Sequence, residues 1–397
     1  MTTPTAPPAE GASILSLGFD AGSVRACLLE NISGHCRVAG WLQAPCRPDA
    51  PLDVQAGELL LALERRLHRP LWNAAEAMPW ITSDEPVRLP PLEQVAVAAS
   101  PQGPLRTWLA GLTHTQSMAA VQTALAACPV QVVGVTPHSA DLAVGALAAE
   151  LAHAEPDLLV IAGGYDDPGE GVHGGVGEPL YELARVLGPA LARLAPMQRP
   201  ALVFAGNRWA APGVVELLQG AGVGPVEVVE NVQPRPGLLH PAALGRAANF
   251  AYWRLCRRRA GLREISRWVT APGHIATLES SFAQLVQVWL ELLDLPHLHA
   301  LYCGPAWSLH VLAAAGQQGL QLRYVAPGTR PAGWESWPPL QLVSGEWPRD
   351  LWPRPAVSWW DRRGLAPLVA AAGQAAPQAM IEALAADLLE PAPRATS

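Results

Sequence analysis

Apolar and polar positions alternate through three closely spaced runs near the start of the chain: ILSLGF (14–19), VRACLLE (24–30) and HCRVAGWL (35–42), joined by DAGS and NISG. A period of two predicts strands, and connections this short make successive strands antiparallel. The period then lengthens. Over residues 53–69, Leu59, Leu60, Leu63 and Leu67 fall on one face of a helix that Pro70 closes. A strand QVAVAA (94–99), a helix over 115–127 and a strand QVVGV (131–135) complete the order β-β-β-α-β-α-β. Regular alternation follows, with helices over 139–154, 178–194 and 210–218 and strands over 157–162, 201–205 and 226–230. Helical periodicity returns over 241–260 and 274–293. A strand over 299–303, a helix to about 317 and a strand over 321–325 come next, and short helices over 365–372 and 377–389 end the pattern.

Three antiparallel strands opening a crossover-linked sheet are the plan of one lobe of the ribonuclease H-like (actin-like ATPase) fold, whereas a plain doubly wound sheet opens βαβ. The expected class is therefore α/β, a mixed sheet followed by further parallel β/α units. The divisions expected are a disordered leader (1–12), a lobe carrying the first hairpin (13–137), a parallel β/α region (138–235), a second lobe (236–325) and a Trp/Pro-rich cover segment with C-terminal helices (326–397).

Composition narrows the chemistry. Half of the 397 residues are hydrophobic, only 15% are charged, and the formal net charge is -7, which argues against a general grip on nucleic-acid phosphates or anionic lipid. All 27 basic residues are arginines, which excludes a Walker A lysine, a pyridoxal Schiff base and lysine acid/base catalysis. The six cysteines form no C-x-x-C pair and read as reduced thiols. No uninterrupted apolar run reaches membrane-spanning length, and the first residues lack a basic-then-apolar leader, so a cytoplasmic protein is expected.

The sharpest local feature is Gly18-Phe19-Asp20-Ala21-Gly22-Ser23, between the first two strands. In a phosphate-binding hairpin, glycine admits a phosphate to the backbone, the serine hydroxyl and N–H groups donate to it, and a strand-end carboxylate holds hydrated magnesium. Asp20, Gly22 and Ser23 suit those roles, and they equally suit an ordinary tight turn. The run GEGVHGGVG (169–177) reads as a flexible loop more than as a phosphate lid. A strand would put His297 and His299 on one face, but Cys303 and His310 follow no recognised zinc-ligand spacing, so a metal site is the weaker reading. Arg254, Arg257, Arg258, Arg259 and Arg263 form the single basic cluster and read as a solvated helix end, with an acidic-partner contact as the other possibility. The tryptophans between 326 and 364 read as packed cover, with a protein interface as the alternative.

The segments LGFDAGSVRACLLE, VAVAASPQGPLR, PDLLVIAGGYDD, PALVFAGN and ENVQPRPGLLHPA, in that order, resemble the accessory component L of glutamate mutase over about residues 14–282. The resemblance implies an actin-like ATPase fold and association with a coenzyme B12-dependent carbon-skeleton mutase, with no B12 held by this chain. Carried over by position, it implies a nucleotide site made of Asp20, Gly22 and Ser23, of Ser100 and Gly103 with Arg106 nearby, and of Gly163, Gly164, Asp166 and Asp167, with Asp20 on magnesium. ATP and Mg are then expected to bind weakly. The family's threonine run and lysine are replaced by Val24 and Arg25, which keeps charge without lysine's geometry. Pro101 and Pro104 intrude into the second loop. Where the family has an aspartate, two glycines and two threonines, the chain has Tyr302-Cys303-Gly304-Pro305-Ala306-Trp307-Ser308, of which only Gly304 and Ser308 match. These losses imply a non-catalytic or weakly catalytic nucleotide-binding accessory protein, a pseudo-ATPase with a protein partner. The alternatives are a live Mg-ATP-dependent ATPase or phosphotransferase, and a ligand-free scaffold.

Overall fold

The computed structural model describes residues 13–32, 35–80, 92–138, 143–166, 177–270, 275–292, 297–303, 308–314 and 321–325. The leader, residues 169–176 of the glycine-dense run, the Trp/Pro-rich segment and the last two expected helices lie outside them. Two compact units divide the chain. The first comprises the described residues of Met1–Gly103 and Leu255–Gln321, the second those of Pro104–Arg254 and Leu322–Ala326.

The first unit begins with β1 (Ser13–Asp20), β2 (Ser23–Ile32) and β3 (His35–Pro45), then α1 (Leu52–Leu67), the short pair β4 (Trp72–Asn73) and β5 (Met78–Pro79), and β6 (Leu92–Ser100). The expected antiparallel opening is present: β1 pairs with β2 in the register Leu17↔Ala26, and β2 pairs with β3. Strand β6 joins β1 in parallel, so the sheet order is β3-β2-β1-β6. Leu15, Leu17, Phe19, Val95 and Ala99 are buried at alternate positions, as a pleated sheet with one packed face requires. Helix α1 packs on β2 and β3. It ends at His68, which turns left-handed (φ 52) while Glu64 Oε2 accepts from the Leu71 and Trp72 N–H groups.

The second unit holds β7 (Leu105–Gly111), α2 (Ala119–Leu125), β8 (Val130–Pro137), α3 (Val144–Ala154), β9 (Leu158–Ala162), α4 (Glu178–Ala192), β10 (Ala201–Phe204), α5 (Ala211–Gly220), β11 (Val226–Val228) and α6 (Pro241–Cys256). Its sheet order is β11-β10-β9-β7-β8, and every pair is parallel. This departs from the sequence reading in two ways. The sequence pattern assigns no strand to residues 105–111 and places 131–135 in the first lobe; instead β7 is a central strand of the second sheet, and β8 pairs with it. Strand β7 is buried at six of its seven positions, so it lacks the alternation that marks a half-exposed strand. The helix expected over 115–127 is a π turn at His114–Met118 followed by α2.

The chain then returns to the first unit with α7 (Leu262–Ile265), α8 (Leu278–Leu292), β12 (His297–Cys303) and β13 (Ser308–Ala314); β14 (Gln321–Val325) ends the described residues. Helix α8 packs on β1, β6, β12 and β13. The helix expected between 303 and 317 is instead β13, antiparallel to β12 with Cys303↔Ser308. Leu309, Val311 and Ala313 are buried at alternate positions, and that period of two carries the correction. A mixed α/β class is thus observed.

Candidate functional site

Asp20 stands at the end of β1 and is 2% exposed. Its Oδ1 accepts from the N–H groups of Gly22 (2.8 Å) and Ser23 (2.5 Å), the pattern by which an aspartate closes a tight turn. Its Oδ2 accepts from the Ser23 hydroxyl (2.9 Å), from Arg25 Nη2 (2.7 Å) and from the Tyr302 hydroxyl (2.8 Å). Arg25 Nη1 also donates to the Tyr302 oxygen at 3.4 Å, and the guanidinium lies 5.7 Å from the Tyr302 ring centroid. Burial, reinforced by the Asp20 charge, pushes the Tyr302 hydroxyl well above the usual tyrosine range, so it stays a donor. The structure therefore brings Asp20, Gly22 and Ser23 together as the sequence implies, and adds Arg25 and Tyr302.

Magnesium fits this carboxylate poorly. An ionised aspartate offers about four lone-pair sites, and five hydrogen bonds already converge on it. A cation would have to displace a guanidinium and sit beside its positive charge.

Ser100 ends β6 opposite Asp20 in the parallel register. Its hydroxyl donates to Glu279 Oε2 at 2.5 Å and accepts from the Leu278 N–H at 3.1 Å, so it caps α8. With no exposed surface, it is spent on that cap. Gly103 faces open space. Arg106 belongs to the second unit, where its guanidinium donates to the Ala154 carbonyl (2.7 and 3.2 Å) and its N–H to Asp157 Oδ2 (3.0 Å), tying β7 to the α3–β9 connection.

In the second unit the order β8-β7-β9 places a change of winding direction between β7 and β9, and open α/β sheets bind ligands at the carboxyl ends beside such a point. Gly163 (φ 142) and Gly164 (φ 70) follow β9 there, in backbone that side chains with a Cβ rarely adopt. Asp166 Oδ1 accepts from the Arg208 N–H (2.8 Å) and from Asn231 Nδ2 (3.0 Å). Asn231 donates also to the Gly164 carbonyl (2.9 Å), Asn207 donates to the Tyr165 carbonyl, and Trp209 Nε1 donates to the Asp166 carbonyl (3.1 Å). Across from β9, the Thr113 hydroxyl accepts from the Ser117 N–H (3.3 Å) as the chain leaves β7. Arg208 stacks over the Trp209 ring at 4.5 Å, and Trp209 is 66% exposed. The sequence reading found Gly163, Gly164 and Asp166 but not Asn207, Asn231 or Trp209. The signal available was an asparagine shortly after each of two strands, in AGN and ENV. Asp167 lies outside the described residues.

Arg259 donates to the carbonyls of Arg47, Pro48 and Ala50, so one member of the basic cluster fastens the β3–α1 loop. The side chains of His297, His299, Cys303 and His310, and residues 304–307, lie outside the described set. Among the described residues no group of three or more His, Cys, Asp or Glu is placed to hold a metal, and no helix is long and apolar enough to cross a membrane.

Two α/β units define the class: a mixed sheet opened by an antiparallel hairpin, and a parallel sheet with a strand-end loop cluster. The MutL protein family model matches residues 63–283, more than half of the chain, and the chain belongs to that family, which is of the glutamate mutase accessory component L type. No curated protein matches it.

Proposed function

We propose that this chain is a non-catalytic accessory protein that assembles with, or reactivates, a coenzyme B12-dependent mutase. The observation that carries the reading is the family match over residues 63–283. The strand order β3-β2-β1-β6 with its antiparallel opening supports an actin-like first lobe. Weak nucleotide contact, where it occurs, belongs at the carboxyl ends of β7, β9 and β10. There the exposed Trp209 ring, with the Arg208 guanidinium over it, stands beside the change of winding. ATP turnover is not expected, because the hairpin carboxylate that would hold magnesium is engaged by the protein's own donors.

The test is copurification of the full-length chain with the subunits of a B12-dependent mutase from the same genome, followed by recovery of activity in mutase inactivated by turnover. Recovery that depends on the chain supports the reading. A chain that neither copurifies nor changes recovery sinks it. ATP hydrolysis on the order of 1 per second or faster, abolished by Asp166→Asn, would establish the ATPase alternative instead.

A further inference from the structure

We infer that the Asp20 hairpin is a closed latch, in which Arg25 and Tyr302 occupy the carboxylate that a metal-bound nucleotide would need. The inference goes beyond the accessory reading and does not depend on the identity of any partner.

The argument starts from the direction of the donors. Two of the five come from the turn itself, the Gly22 and Ser23 N–H groups on Oδ1, and would remain in a hairpin poised for phosphate. The three on Oδ2 leave that oxygen without a free direction: the Ser23 hydroxyl, the Arg25 guanidinium and the Tyr302 hydroxyl, at 2.9, 2.7 and 2.8 Å. Magnesium surrenders its waters reluctantly, so it would reach Oδ2 directly or through a bound water, and either contact needs a lone-pair direction that Ser23, Arg25 and Tyr302 already take. The Ser23 hydroxyl, expected on phosphate, is directed at Asp20 as well.

The latch also has a mechanical side. Tyr302 lies on β12, far along the chain from the hairpin it closes, and its ring is backed by Phe282 of α8 with centroids 5.7 Å apart. The same hydroxyl that fills the carboxylate therefore ties the β1–β2 turn to the β12–β13 hairpin and α8 within the first unit. A charge-assisted hydrogen bond is about twice as strong as a neutral one, so the contact holds both partners in place. The arginine supplies the positive charge that the buried Asp20 needs, which is the electrostatic service a metal ion would otherwise render.

The test is titration of the full-length protein with manganese, read by electron paramagnetic resonance, with and without ATP. The wild type should show no manganese site that depends on Asp20. Arg25→Ala with Tyr302→Asp removes both intruding donors and adds a carboxylate. That variant should acquire a site at least tenfold tighter than any in the wild type, lost again on adding Asp20→Asn. Tyr302→Phe alone should lower the unfolding temperature without creating a metal site, because Arg25 still covers Oδ2. A wild-type manganese site removed by Asp20→Asn overturns the latch. So does a double variant with native circular dichroism that acquires no site. Should the double variant not fold, the wild-type titration with its Asp20→Asn control decides the question by itself.

Discussion

Replacing Arg69 by methionine should be one of the most destabilising single changes in the first unit. Glu30 is 4% exposed on β2 and Arg69 is 5% exposed just after α1. Arg69 Nη1 donates to Glu30 Oε1 at 2.6 Å, and Nη2 donates to the Ser13 hydroxyl at 2.9 Å. Burial lowers the Arg69 pKa, and the attraction of Glu30 opposes that shift without cancelling it. Removing the guanidinium leaves a carboxylate in the interior, and breaking such a pair from one side costs about 3–5 kcal/mol. The lower end applies here, because Arg37 reaches Glu30 Oε2 at 3.1 Å from a mostly exposed position and keeps part of the compensation. Methionine preserves most of the apolar stem, so packing loss adds little. Glu30→Met with Arg69→Met removes both charges and should recover most of the loss, giving a coupling of about 2 kcal/mol or more. Because the chain has two units, the readout should be local: hydrogen exchange of β1 and β2 peptides across a denaturant series, followed by mass spectrometry. A single variant that costs less than about 1 kcal/mol, or a double variant worse than the sum of the singles, refutes the reasoning.

At Gly206 an added Cβ would lie 2.8 Å from the Gly163 carbonyl oxygen and 3.0 Å from its nitrogen, both backbone, so Gly206→Ala should cost about 1–3 kcal/mol in denaturant unfolding. At Gly220, the last residue of α5, nothing lies within 4 Å, so Gly220→Ala should be neutral or stabilising by up to about 1 kcal/mol; equal effects at the two sites would contradict the close approach of β9 and β10 loops. The Cys128 thiol, pushed up to about 12 by burial, should resist iodoacetamide at pH 8 until the protein unfolds, as peptide mass spectrometry would show. Its folded pKa is raised, so its contribution to stability is complete below pH 9 and declines as the pH rises from 9 toward 12. Cys128→Ala should flatten that part of the curve of denaturation midpoint against pH. Asn231→Ala removes two donors, to the Gly164 carbonyl and to Asp166, and should loosen the strand-end cluster by about 1–2 kcal/mol, measured as faster hydrogen exchange at residues 163–166.

Where one sheet face is packed and the other is not, the fold was legible in the chain. The alternation of β1, β2 and β6 and the leucine stripe of α1 are local signals, and each element lies within a few residues of its expected bounds. Strand β7 failed that test because a central parallel strand is buried on both faces and carries no period. Pro101 and Pro104 also made its start look like the end of a loop. Strand β13 did carry a period of two, in Leu309, Val311 and Ala313, but its flanking alanines are good helix formers, and the pairing with β12 decides against propensity.

The candidate sites divide along the same line between local and remote causes. Asp20, Gly22 and Ser23 are recognisable because turn chemistry is written in consecutive residues, and a phosphate hairpin and a closed turn use the same ones. What separates the two is the number of further donors that reach the carboxylate. One of these, Tyr302, arrives from β12 and could be seen in the chain only as a missing aspartate, not as a hydroxyl that takes up the vacated carboxylate's partner. Arg25 looked like an imperfect lysine, but its 2.7 Å contact with Asp20 makes it a counter-ion. In the second unit the glycines at 163 and 164 announced themselves by type, while Asn207 and Asn231 did not, since a lone asparagine after a strand is ordinary turn vocabulary. Their role follows from β9, β10 and β11 being adjacent and parallel, which brings three separate strand ends together and lets each asparagine satisfy carbonyls of the β9 loop. Residue type thus indicated where the loops bend. Whether a loop is open to a ligand or already filled depends on side chains that only the sheet order brings within reach.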